Sequence, residues 1–411
     1  MAPRSLCMPM QGAEAMSRAC GLCKPWFSCG TGQLRGAPLL ASTAPEAQIP
    51  VEKPATAIKR GLVFQIWRCL RCSLALLALV LRLALYAALL AVPFIKAGCM
   101  YFCDKRVRRG VRVGPGSRQL VDIYCPAEAV AALEGRAPKV PVVVAVMGGA
   151  WVLGHRAWNV QLGQRLMDAG ILMIAVDYRN FPFCTVPDMV DDVGIGLSWV
   201  MEHAERYGGD PSNILITGQS AGAHLVALLL LQRSMEESRT LRSRGTARSV
   251  AELRGFVGIS GPWDLVTLAA HLEARGLGSW LLRRICSGDL ERYSPTLLLQ
   301  RGQLKAEAAA LLPPMLLYHG EADKSVPPAL SLHFSEALRG SGVAVRAELA
   351  PGIAHAEVIL EGPMRGEDHQ VQLLLPFLLG EGHRDHFSRL PPLRPMFPRA
   401  IINLASHVMP F

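Results

Sequence analysis

At 411 residues, with 51% hydrophobic and 18% charged side chains, the chain has ample material for a large core and is not a globally disordered protein. Its net charge of +10 is unevenly spread: residues 1–112 hold 16 Lys and Arg against 4 Asp and Glu, and the remainder is near balance at 27 against 29. A basic segment beside an apolar one points to anionic lipid headgroups, and with no base-reading module present a nucleic-acid partner is not expected.

Residues 1–60 are rich in Pro, Gly, Ala and Ser, show no helical or strand period, and read as mostly disordered. Their few acidic residues are also compatible with an organelle transit peptide, whereas no cleaved secretory signal is expected. Cys20-x-x-Cys23 with Cys29 resembles half a metal site, but no second pair follows, so no metal or other cofactor is expected. Cys69 and Cys72 border the next segment, where acylation is conceivable; free reduced thiols on a cytosol-facing protein are the plainer reading.

Residues 61–112 read as a membrane-anchoring unit. From Ser73 to Ile95 the chain is nearly all apolar, and a span of about 20 such residues crosses a bilayer. Arg82 costs roughly 2.5–3.5 kcal/mol in that setting, which the surrounding Leu and Ala offset. A buried or interfacial amphipathic helix is the alternative. Basic residues stand on both sides (Lys59, Arg60, Arg68 and Arg71 before; Lys105, Arg106, Arg108, Arg109 and Arg112 after), so orientation stays open.

Residues 113–385 alternate strands and helices. Leu120–Tyr124 reads as an early edge strand and residues 127–140 as a surface connection. Val140–Val146 and Ile171–Val176 are buried parallel strands, and residues 186–207 a helix. Asn213–Thr217 leads into Gly218-Gln219-Ser220-Ala221-Gly222, with an apolar helix over Ala223–Leu231 and a polar connection over Arg233–Glu252. Strands at Gly255–Ser260, Pro314–His319 and Val343–Leu349 follow, with helical stretches over 265–312 expected to cap the site. This order indicates a mostly parallel, doubly wound α/β sheet. Residues 386–411 form a tail that is Pro-rich and basic, with a short amphipathic helix over Ala400–Met409.

The chemistry centres on Ser220. A serine between glycines at −2 and +2, at a strand-to-helix turn, has the form of a nucleophile elbow. Asp323 follows the Pro314–His319 strand and His355 follows the last one. Strand C-termini are the ligand-binding side of an open α/β sheet, and the order Ser, Asp, His is that of α/β-hydrolases. Ser220 is thus the candidate nucleophile, His355 the general base and Asp323 the group that orients the imidazole. Backbone N–H groups of Gly148, Gly149, Ala150 and Ala221 are the candidate oxyanion hole. His224 reads as a packed helix residue, His319 as structural, Asp264 as a turn cap, and Arg179 with Asp188, Asp191 or Asp192 as a structural ion pair. Trp151, Trp158, Phe181, Phe183, Trp263 and Trp280 are either core or the lining of an apolar acyl or thioether pocket.

Met147-Gly148-Gly149-Ala150-Trp151, Asp177-Tyr178-Arg179-Asn180-Phe181-Pro182, Gly208-Gly209-Asp210-Pro211, Gly218-Gln219-Ser220-Ala221-Gly222-Ala223-His224 and the closing Met409-Pro410-Phe411 together resemble the isoprenylcysteine alpha-carbonyl methylesterases, from about residue 60 onward. The resemblance implies an α/β-hydrolase fold preceded by a membrane helix, in endoplasmic reticulum and Golgi membranes. It implies hydrolysis of the methyl ester on prenylated protein C-termini or on prenylcysteine methyl esters. It assigns the triad to Ser220, Asp323 and His355, and substrate contacts to Gly148, Gly149, Ala150, Gln219 and Ala221. Against the wider esterase pattern His-Gly-Gly-Gly, Met147 and Ala150 depart, so acyl preference is open. The competing expectations are a carboxylesterase or arylformamidase acting on small soluble substrates, and a non-catalytic receptor of hydrolase shape.

Overall fold

Among the described residues the chain forms eight strands: β1 (Val107–Arg112), β2 (Leu120–Tyr124), β3 (Val140–Val146), β4 (Leu172–Val176), β5 (Gly209–Gln219), β6 (Gly255–Ile259), β7 (Met315–Gly320) and β8 (Val345–Ala350). This is a computed structural model, and it describes residues 80–240 and 248–409 with Leu74, Leu77 and Ala78. The strands form one sheet in the order β1-β2-β4-β3-β5-β6-β7-β8. β1, β2 and β4 pair antiparallel, and every pairing from β4 through β3 to β8 is parallel.

Alternation along β3 shows why the central strands are apolar throughout. Val142, Val144 and Val146 pack with α5 (Val186–His203) and α6 (Ala221–Thr240). Val143 and Ala145 pack on the other face with α4 (Val160–Asp168) and α13 (His369–Leu379). Both faces are covered, so neither set of side chains can be polar. Between β6 and β7 lie α7 (Leu265–Ala274), α8 (Trp280–Ile285), α9 (Pro295–Gln300) and α10 (Ala306–Ala309), where helical stretches are expected.

Several local expectations differ from the structure. Leu120–Tyr124 is not an edge strand, because β1 lies outside it. The basic residues Arg108, Arg109 and Arg112 belong to β1, where a strand hides in a sequence that reads first as a charge cluster. Residues 127–140 include a helix, α3 (Ala127–Leu133). The elbow helix continues past Leu231 to Thr240, with Arg233 reaching the Gly194 carbonyl at 2.6 Å and Ser198 Oγ at 2.7 Å. Gln, Arg, Met and Glu after Leu231 are good helix formers, and loss of the apolar pattern did not mean loss of the helix.

Of the membrane helix expected over Ser73–Ile95, the described part is bent. Among the described residues no single helix is long and apolar enough to cross a membrane; α1 (Val80–Leu89) and α2 (Ala91–Cys103) meet the criterion only as a pair, bent by 65°. Pro93 explains the break: it donates no N–H and its ring collides with the carbonyl four residues earlier, at Leu89. Tyr86 and Leu90 are buried against Met364 of α12 (Glu361–Arg365) and against Ile402 and Ala405 of α15 (Arg399–Val408). Tyr86 Oη donates to Glu361 Oε1 at 2.6 Å, and Tyr101 Oη to Asp122 Oδ2 at 2.7 Å. The expectations for residues 1–60, for the cysteines up to Cys72, for most of residues 61–79 and for Pro410-Phe411 lie outside the described residues.

Candidate active site

β5 passes into α6 with one residue between them, Ser220, at φ 51°. A left-handed backbone at a non-glycine residue costs of order 1–3 kcal/mol, and the sheet sustains it: Ser220 N donates to the Ile259 carbonyl at 2.8 Å. A side chain at position 222 would put its Cβ 2.2 Å from the Val146 carbonyl, so only glycine lets α6 start this close to β3. Ser220 thereby stands at the positive end of a long helix.

His355 Nε2 lies 2.9 Å from Ser220 Oγ, and His355 Nδ1 lies 2.6 Å from Asp323 Oδ2. A carboxylate accepts, so Nδ1 carries the proton and Nε2 is left to accept the serine proton. Asp323 is buried, and its Oδ1 accepts from Ser325 N at 2.8 Å and Val326 N at 2.9 Å. Burial alone would raise its carboxyl; hydrogen bonds from His319 and His355 outweigh that and hold it well below the usual carboxylate range. Gln219, a proposed substrate contact, also touches the histidine, with Nε2 3.4 Å from the His355 carbonyl.

Gly148 lies against the elbow, where an added Cβ would come within 2.8 Å of Ser220 Cβ. Gly149, Ala150 and Trp151 follow with φ of 127°, 51° and 60°. This turn is closed by Val152 N and Leu153 N on the Gly149 carbonyl. Among the described residues neither Gly149 N–H nor Ala150 N–H meets an acceptor, and Ala221 N–H opens α6, where no intrahelical acceptor exists. Free donors beside a serine hydroxyl are what a developing oxyanion needs.

The string Asp177–Phe181 explains itself from behind this loop. Asp177 pairs with Arg118 at 2.5 Å and Arg156 at 2.8 Å. Arg118 and Asn180 both donate to the Gly154 carbonyl, at 2.6 and 2.9 Å. Tyr178 Oη donates to the Met147 carbonyl at 3.0 Å, and Phe181 N to the Trp151 carbonyl at 2.9 Å. Arg179 forks onto Asp192 at 2.8 and 3.1 Å, so that ion pair is structural. Arg118 and Arg156 had no sequence signal, because their partners lie on other elements.

His224 is fully buried: its Nδ1 accepts from Trp151 Nε1 at 3.3 Å and its Nε2 donates to the Tyr293 carbonyl at 2.7 Å. It thus ties the elbow helix to the turn carrying Ala150. Asp264 caps α7 through Val266 N and Thr267 N. Trp151 and Trp263 are core, whereas Trp158, Phe183 and Trp280 are exposed and Phe181 is half-buried. Two recesses, of 350 Å³ between β7, β8 and α13 and 610 Å³ between α5 and α6, hold none of the triad. No metal-binding group occurs among the described residues.

A family model described as BD-FAE matches residues 121–338. The isoprenylcysteine alpha-carbonyl methylesterase ICME of Arabidopsis thaliana is 33% identical over 361 residues, 87% of this chain and 82% of that protein. A probable isoprenylcysteine alpha-carbonyl methylesterase, ICMEL1 of Oryza sativa subsp. japonica, is 35% identical over 336 residues, 80% of this chain and 77% of that one. Among solved structures, esterase B from Lactobacillus rhamnosis superposes with a TM-score of 0.53 over 75% of this chain and 98% of its own, at 19% identity, which is a likeness of fold. Identity of this degree, sustained over more than three quarters of both chains, means that the protein belongs to the isoprenylcysteine alpha-carbonyl methylesterase family of α/β-hydrolases.

Proposed function

We propose that this carboxylic ester hydrolase is a membrane-bound serine esterase that removes the alpha-carbonyl methyl ester from an isoprenylated C-terminal cysteine. The observation that carries the reading is the unbroken Ser220–His355–Asp323 hydrogen-bond chain, at 2.9 and 2.6 Å, in a member of this family. Ser220 Oγ attacks the ester carbonyl as His355 Nε2 takes its proton. The N–H groups of Gly149, Ala150 and Ala221 hold the oxyanion, and Gly148 and Gln219 border it. Collapse breaks the C–O bond to the methoxy group, which leaves as methanol with the proton from His355. A water molecule, deprotonated by His355, then cleaves the acyl-serine, releases the prenylcysteine carboxylate and returns the proton to Ser220.

The bent pair α1–α2 serves as the membrane element. Val80, Leu81, Leu85, Phe94, Ile95 and Phe102 are exposed on it, and exposed large apolar groups in such number suit a lipid phase. A prenyl chain partitions into the same phase, so anchoring raises the local substrate concentration. Endoplasmic reticulum and Golgi membranes are the proposed location, by likeness to the family.

The test is hydrolysis of S-farnesylcysteine methyl ester beside p-nitrophenyl acetate, with wild type and Ser220→Ala. Strong preference for the farnesyl ester, lost in the variant, is expected. Turnover of the acetate alone leaves a general esterase and removes the prenylcysteine assignment.

A further inference from the structure

We infer that His319, outside the triad, is a positioning residue that sets the basicity of the Asp323–His355 pair by donating a second imidazole hydrogen bond to the same carboxylate oxygen. His319 ends β7 and is fully buried. Its Nε2 lies 3.0 Å from Asp323 Oδ2, the oxygen that also receives His355 Nδ1–H, and 3.0 Å from the Val326 carbonyl. Both partners accept, so Nε2 carries the proton.

The other ring nitrogen is fixed by a chain that reaches into the core. His319 Nδ1 lies 2.7 Å from Ser331 Oγ on α11 (Ala329–Gly340), and Ser331 Oγ lies 2.9 Å from Trp263 Nε1. The indole can only donate, so Ser331 accepts there. Among the described residues the remaining Ser331 proton has one acceptor in reach, His319 Nδ1. The chain Trp263 → Ser331 → His319 → Asp323 thus runs in one direction and holds His319 as the Nε2–H tautomer.

Asp323 Oδ2 therefore divides its charge between two imidazole N–H donors, while Oδ1 is taken by Ser325 N and Val326 N. Each donor makes the carboxylate a weaker partner for the imidazolium that forms on His355 during attack. Removing the His319 donor concentrates charge on Oδ2 and favours protonated His355. Of the other charged or titratable groups near the pair, His271 and Arg275 of α7 bond the Lys324 carbonyl, Glu357 bonds Ala354 N and pairs with Arg365, and Glu321 and Lys324 are exposed. None of them bonds His319.

The experiment is the pH dependence of Ser220 labelling by a fluorophosphonate, which needs the triad but no particular ester. For His319→Phe the acid limb should move to higher pH by about one unit. His319→Gln, which restores an N–H donor, should move it back toward wild type. A purely structural role predicts a lower plateau with the limb unmoved, and that result overturns the inference. Should His319→Phe fail to fold, imidazole ¹⁵N NMR of the wild type decides: a His319 ring that carries its proton on Nε2 supports it, and a neutral Nδ1–H ring, which cannot donate to Asp323, overturns it. The inference rests on the proposed triad. Wild type that does not label at Ser220 removes both, whereas labelling with an unmoved limb removes this inference alone.

Discussion

Gly148→Ala is the sharpest test of the idea that the turn at Gly148–Ala150 is placed against the nucleophile by steric fit. The backbone at 148 lies outside the left-handed region, so alanine meets no conformational penalty there. Its Cβ would, however, lie 2.5 Å from the Gln219 carbonyl, 2.6 Å from Gln219 Oε1 and 2.8 Å from Ser220 Cβ. Gln219 Oε1 ends a movable side chain. The carbonyl and Ser220 Cβ do not yield as readily, since Gln219 is paired with Ile259 and Ser220 N is bonded to the Ile259 carbonyl. Relief to ordinary contact needs about 0.7–1 Å of separation between the turn and the elbow. Displacement of that size at a reacting centre costs on the order of 10²-fold in rate. Overpacking costs about 1–3 kcal/mol of stability, a fall of several degrees in Tm. The assay is kcat and KM on p-nitrophenyl acetate with a thermal melt. A folded variant within threefold of wild-type kcat would refute the reasoning.

Three further outcomes follow from buried groups. Burial pushes the His224 imidazole down to about 4, from an ordinary value near 6.5; below 6.5 the unfolded chain therefore binds a proton that the native protein does not, and stability falls toward pH 4 by up to roughly 1.4 kcal/mol per pH unit. His224→Gln should flatten that part of the Tm–pH curve, and an unchanged slope would count against it. Burial raises the Glu361 carboxyl, so the native protein holds a proton above pH 4.5 that the unfolded chain has lost, and stability falls as pH rises toward the native value. Glu361→Gln keeps an acceptor for Tyr86 and should raise Tm at pH 7; a lower Tm would contradict this. Leu81 and Leu85 are 60% and 50% exposed on α1, so replacing both with Gln should weaken cosedimentation with anionic phospholipid vesicles by about tenfold or more. Equal binding would argue against α1 as the lipid-facing element.

The elements that a local pattern determines were readable without coordinates. Val140–Val146 is apolar at every position because both faces of its sheet are covered, and the elbow glycines 218 and 222 are dictated by the close approach of a helix to a strand. Ser220, Asp323 and His355 each follow a strand in the order their fold requires, so their chemistry could be proposed from the chain alone. Tertiary structure decided what depends on distant partners. A histidine before a turn became the second donor to Asp323, because α11 and Trp263 fix its ring. Arg118 and Arg156 gained their meaning from Asp177 and Gly154, and a basic cluster became an outer strand once Leu120–Tyr124 was there to pair with it. Apolar length over residues 73–95 suggested a membrane helix without saying whether it runs straight; Pro93 and the partner surface on α12 and α15 make its described part a bend. Periodicity along a chain reports which face is buried, and only the fold reports against what.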